Sequence, residues 1–286
     1  MWGNQINKVE GMETVSLKNQ TSNNMIFRNT NSHKGRSLAV TPDNSSMQFL
    51  QYGRIILDAA MPTTSFTSNN CEIGLICVSG RGNVTVGDES YELGRYDAIY
   101  IPRDSSVEIS TDTAIDLTEC SAKVDNKYPI QFVRYADVEN DASLKFATGG
   151  ESNRRTVNIL LGKNIEAGRI LAGVTQSEPG NWTSFPPHEH AEILEEIYVY
   201  YDMPSPAFGL QMVYTDAQTP EFVEVVRDGD AVIIPRGFHP NVAVPEHKIN
   251  FVWLMAAHKE VEDRQFGVVN VQPGFDKNGT GLEASR

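Results

Sequence analysis

The chain has 286 residues, 40% of them hydrophobic and 21% charged, and a formal net charge of −13. That length can bury a substantial core as one large domain or two ordinary ones, and the acidic balance disfavours nucleic acid phosphates and anionic lipid as partners. No apolar run is long enough to cross a bilayer, the N-terminus has no apolar signal core, and Cys71, Cys77 and Cys120 include no C-x-x-C pair, so no disulfide framework is expected and a reducing cytoplasm fits best.

Residues 1–48 are polar and rich in Asn, Ser and Thr, and they read as an arm, loosely ordered or wrapped onto a neighbouring subunit. From Phe49 onward the pattern changes. Short runs rich in Ile, Val, Tyr and Phe recur between Gly, Pro, Asp and Asn: GRIILDAAM, EIGLICVSG, DAIYIP, RTVNILLG, RILAGVT, EEIYVYYD, FGLQMVYTD, AVIIPRG and INFVWLMAA. Runs of this length with such boundaries predict strands. No long stretch has a helical period, so an all-β sandwich or barrel is expected.

The strands repeat. DAIYIPRDSSVEI, from Asp97, aligns without gaps on DAVIIPRGFHPNV, from Asp230. Upstream, Thr64-Ser65-Phe66 meets Thr183-Ser184-Phe185, and Glu72-Ile73 meets Glu196-Ile197 if the second copy carries an insertion. Two copies of one β-barrel unit follow: residues 49–140 form the first and 141–270 the second, with residues 271–286 left as a tail. Asn69, Cys71 and Ser106 stand in the first copy where the second has His188, His190 and His239. One barrel is therefore expected to hold a metal and the other to be structural.

His188 and His190 form an H-x-H in PPHEHAEILEEIYVYYD. On a strand, residues i and i+2 share a face, so both imidazoles can enter a barrel. Glu195 and Glu196 open the next strand, and His239 closes G-x5-P-x-G-x-H. Three imidazoles and one carboxylate suit one divalent transition metal, Zn, Mn or Fe among them. The two elements match the motifs of the cupin superfamily, in which the carboxylate ligand takes the position of Glu196. Glu195 falls on the opposite face once the strand has begun, and it stays an alternative beside Glu192 and Glu189. His33, His247 and His258 have no partner pattern.

Residues 153–257 resemble the 5-deoxy-glucuronate isomerases of inositol breakdown, and more distantly the 5-keto-4-deoxyuronate isomerases of pectin breakdown. The carrying segments are NRRTVNIL, GNWTSFPPHEH, LEEIYVY, FGLQMVYTD, VIIPRGFHP and the strand ending in LMAA. The N-terminal half resembles them in architecture only. The resemblance implies a double cupin and a metal held by His188, His190, Glu196 and His239. It also implies aldose–ketose isomerisation of a sugar acid or keto-sugar. Cupins often pair through their barrel faces, so a homo-oligomer is expected.

Such an isomerase must polarise a carbonyl and move a proton between neighbouring carbons. Tyr198 and Tyr200 follow Glu196 at i+2 and i+4 and should point inward with it. Gln211 and Tyr214 lie on a strand of unfixed phase, and only one of them can face the site if that strand is regular. Arginine suits a substrate carboxylate because it donates two parallel hydrogen bonds. Arg155 is preferred over Arg154 and over Arg236, which has a counterpart, Arg103, in the metal-free copy. The same ligand set also permits an Fe(II) dioxygenase, and a sugar-binding double cupin without catalysis is the third reading.

Overall fold

The computed structural model describes residues 24–275. It contains two β-barrels joined side by side, with one short helix, Tyr135–Glu139, near the connection. Every strand pairing is antiparallel. The first barrel packs a six-stranded sheet against a four-stranded one, and the second packs a seven-stranded sheet against another of four. This is the double-cupin arrangement expected from the sequence.

The large sheet of the second barrel builds the site. Within it Leu194–Tyr200 pairs with Ala231–Ile234 on one side and with the central strand, Asn250–Ala257, on the other. Asn250–Ala257 pairs with Ile170–Ser177, which pairs with Arg155–Leu161. Side chains alternate across each strand. One face of this sheet therefore lines the barrel interior, and the other packs in a hydrophobic cluster shared with the first barrel.

The two copies superpose rung by rung. In the first, Gly53, Glu119 and Leu75 stand abreast on three strands. In the second, Gly173, Trp253 and Tyr198 do so. The glycine is needed in the second copy because a Cβ at Gly173 would sit 2.2 Å from the Trp253 ring.

The same rungs correct the sequence alignment of the copies. Ile76 pairs with Ala98, and Val199 pairs with Ala231. Glu72 thus matches Glu195, and Ile73 matches the ligand position Glu196. Facing the first barrel's interior, Ile73, Leu75 and Cys77 join an aliphatic cluster with Ile99 and Ile101. Hydrocarbon fills the space where the second barrel has polar groups, and Asn69 and Ser106 are exposed.

The expectation of an arm over residues 1–48 is also corrected for its described part. Gly35–Val40 is a strand of the first barrel, paired with Gln51–Asp58. Ile26–Phe27 adds to the second barrel's sheet beside Ala231–Ile234. The polar composition misled here because these are edge strands, whose outer side faces water. Residues 1–23 lie outside the described residues.

The tail is used as well. Asn270–Val271 pairs with His188–Glu189.

Candidate metal centre

The strand Leu194–Tyr200 is buried along its whole length. Alternation turns Glu196 and Tyr198 to the barrel interior, where both line a cavity. His190 heads a turn in which its carbonyl accepts the N–H groups of Ile193 and Leu194, at 3.0 and 2.9 Å. His239 follows Gly237, whose φ of +96° is the left-handed conformation that glycine permits.

Among the described residues, His190, Glu196 and His239 form a buried group whose ligand atoms lie within 4.8 Å of one another. The Nε2 atoms of His190 and His239 stand 3.1 and 3.2 Å from the same oxygen of Glu196. Each imidazole is oriented through its other nitrogen. Nδ1 of His190 meets the Leu194 carbonyl at 3.2 Å, and Nδ1 of His239 meets the Gly237 carbonyl at 2.8 Å. A carbonyl only accepts, so each Nδ1 carries a proton, and in its neutral form each ring turns a bare Nε2 lone pair to the carboxylate.

Two lone pairs facing one carboxylate oxygen repel unless a positive charge lies among them. Nε2 of His239 has no hydrogen-bond partner although it is buried. Donor atoms about 2.0–2.2 Å from a common ion stand about 3–3.5 Å apart, which matches the two separations from Glu196. The group therefore fits a divalent transition metal, and the backbone carbonyls supply the outer contacts that fix ligand orientation.

His188 lines the same cavity but stands outside the tight trio. Its ring centre is 4.9 Å from that of His239 and 6.4 Å from that of His190. Its Nδ1 is held 2.9 Å from the Pro186 carbonyl, and its strand is tied to the tail. Of the four expected ligands, three are gathered and the fourth is adjacent.

The electrostatics follow the geometry. Burial alone would raise the Glu196 carboxyl, but in metal-free protein the His190 contact and the nearby His239 ring bring it down to about 2. Burial likewise opposes charge on His190, and its bond to Glu196 overrides this and raises it. His188 falls to about 3 through burial and the nearby His239. Tyr198 is raised well above the ordinary phenol range by burial and by the Glu196 charge, so it stays protonated. Its hydroxyl shares a 2.6 Å hydrogen bond with that of Ser184.

The cavity measures about 580 Å³ including its mouth. Arg155, Thr175, Ser184 and Tyr198 contribute its polar wall, and Leu194, Phe251, Trp253 and Met255 its apolar one. Phe266–Val269 completes the lining. Arg155 is 5% exposed, and one Nη donates to the Asn153 carbonyl at 2.9 Å. No carboxylate among the described residues pairs with it, and burial lowers it from 12.5 to about 10.

Three of the expected site residues belong elsewhere. Tyr200 does face inward, but its hydroxyl donates to Oε1 of Gln211 rather than to the cavity. Gln211 also takes a hydrogen bond from Asn241 at 3.1 Å and donates to the His239 carbonyl at 3.0 Å. These two side chains brace the turn behind His239. Tyr214 lies just past its strand, Gly209–Val213, and its hydroxyl reaches Oε1 of Gln272 in the tail at 2.7 Å. Ser184 and the tail were not anticipated. Ser184 lies inside the quoted TSF string, but nothing local marks its partner. The wall of Phe251, Trp253 and Met255 was legible as period-2 alternation.

A model of the KduI/IolB family matches residues 25–269. The 5-deoxy-glucuronate isomerase of Halalkalibacterium halodurans is 28% identical over 240 residues, covering 78% of this chain and 87% of its own. The crystal structure of an IolB-like protein from Salmonella typhimurium superposes with a TM-score of 0.78 at 22% identity, covering 88% of this chain and 98% of that one. Bacillus subtilis oxalate decarboxylase superposes with a TM-score of 0.59 at 13% identity, covering 82% and 78%, and shares the fold.

Proposed function

The chain belongs to the KduI/IolB family, and from that premise we propose that it is a metal-dependent aldose–ketose isomerase of a sugar acid such as 5-deoxy-glucuronate. The observation that carries this is one cavity lined both by His190 and Glu196 of the buried trio and by a buried arginine that has no carboxylate partner among the described residues. The name of the Halalkalibacterium relative supports the substrate class.

His190, Glu196 and His239 would hold the ion, with His188 beside them as the fourth ligand. A bound divalent ion supplies Lewis acidity to a carbonyl and its neighbouring hydroxyl. Arg155 binds the substrate carboxylate, since a charge-assisted pair in a desolvated wall is strong and directional. Tyr198 keeps its proton on Oη and serves as a donor to a developing oxyanion, with Ser184 orienting that hydroxyl. Trp253, Phe251 and Phe266 exclude water from the reacting end.

The test is conversion of 5-deoxy-glucuronate followed by NMR with purified protein as isolated, after chelation, and after reloading with Mn²⁺, Zn²⁺ or Fe²⁺. Turnover that disappears on chelation and returns with one of these ions is expected. Full turnover after verified metal removal, or no turnover of any uronate by the reloaded protein, would overturn the proposal.

A further inference from the structure

Glu72 and Glu195 occupy the same rung position in the two barrels, and both are buried, 0% and 2% exposed. Each carboxylate leaves its own barrel. Glu195 accepts the backbone N–H groups of Gln48 at 2.9 Å, Phe49 at 2.7 Å and Leu50. Those residues lead into Gln51–Asp58 of the first barrel. Glu72 accepts the N–H groups of Gly168 at 2.8 Å, Arg169 at 2.6 Å and Ile170 at 2.8 Å, at the start of Ile170–Ser177 in the second barrel. The two N–H triplets are themselves equivalent, because each ends three residues before the matched glycines Gly53 and Gly173. Phe49 and Arg169 meet between them, with the guanidinium carbon 4.7 Å from the ring centre. The barrels are thus cross-linked by two reciprocal carboxylates, each holding three backbone N–H groups of the other barrel, and Glu72 accepts a further bond from the Tyr100 hydroxyl at 2.9 Å.

The symmetry is broken at the next residue. Glu196 follows Glu195 and faces the cavity, whereas Ile73 follows Glu72 and faces hydrocarbon. Consecutive strand residues point to opposite faces, so the three bonds at Glu195 fix the backbone from behind at the residue preceding Glu196. We infer that Glu195 is a positioning residue for the metal centre, through which the barrel without ligands sets the orientation of Glu196. Glu72 makes the equivalent link without a ligand beside it and serves as the control, differing in its added bond from the Tyr100 hydroxyl.

This inference rests on the metal reading above. The test uses the full chain, stripped of metal, as wild type, Glu195→Gln and Glu72→Gln. Each is titrated with Zn²⁺ and with Mn²⁺ in competition with a chromophoric chelator, and the melting temperature of each metal-free protein is measured in parallel. Both substitutions should lower the metal-free melting temperature, Glu72→Gln at least as much because the Tyr100 bond is also affected. Only Glu195→Gln should weaken metal binding, by about tenfold or more, the range for outer contacts of metal ligands. Glu195→Asp, which keeps the charge but shortens its reach, should weaken binding in the same direction and replaces the Gln variant if that one is insoluble. Wild-type affinity in the Glu195 variants, or equal weakening in Glu72→Gln, overturns the inference. A wild-type protein that takes up neither ion overturns the metal reading itself, and this inference with it.

Discussion

Replacing Arg155 by Met separates binding from folding. Methionine keeps the unbranched apolar stem and removes the charge. The depression of the guanidinium from 12.5 to about 10 corresponds to roughly 3 kcal/mol of unfavourable solvation of the cation. The bond from this charged group to the Asn153 carbonyl returns about 1.5–3 kcal/mol. The balance does not disfavour the substitution: unliganded Arg155→Met should be as stable as wild type, or more stable by up to about 1.5 kcal/mol. Substrate binding should respond in the opposite direction. A hydrogen bond to a charged partner contributes about 1.5–3 kcal/mol, so kcat/KM for a sugar acid should fall roughly 10- to 150-fold. The assay pairs urea unfolding with steady-state kinetics on the acid and on its neutral amide. The variant should lose its preference for the acid while its turnover of the amide stays near wild type. A destabilised variant with unchanged kcat/KM would refute the reasoning and make Arg155 a structural residue.

Two further outcomes follow from the surroundings of the trio. Gln211→Leu strands the His239 carbonyl, the Tyr200 hydroxyl and the Asn241 amide in a buried region. It should cost about 1–3 kcal/mol in urea unfolding and weaken metal uptake, and unchanged stability would contradict the bracing role. In metal-free protein, Glu196 is depressed from 4.5 to about 2. A depressed carboxylate contributes stability above its unfolded value and loses it as pH falls through the folded one. The melting temperature should therefore drop between about pH 4.5 and 2 in wild type and less steeply in Glu196→Gln, and parallel curves would remove Glu196 from the acid response.

The sequence by itself determined the features that depend on local repetition. Alternation along EEIYVYYD decided that Glu196 and Tyr198 share a face and that Glu195 takes the other. The β class and the two copies were readable for the same reason, since strand period and turn residues are properties of short segments. The H-x-H, the glutamate and the His239 turn marked one half as the polar barrel. Tertiary structure decided what lies beside these groups. Arg155, Thr175, Phe251 and Glu196 come from four strands that are adjacent in one sheet but far apart in the chain, and no local pattern encodes that adjacency. Tyr200 has the inward phase of Tyr198 yet meets Gln211, because depth along the barrel axis depends on where the neighbouring sheet closes. Pairing also placed Ile26–Phe27 in the second barrel, Val271 beside His188, and Glu72 opposite the start of a strand nearly a hundred residues away. In each case a backbone edge or a buried carboxylate must find partners once it is removed from water, and only the folded chain supplies them.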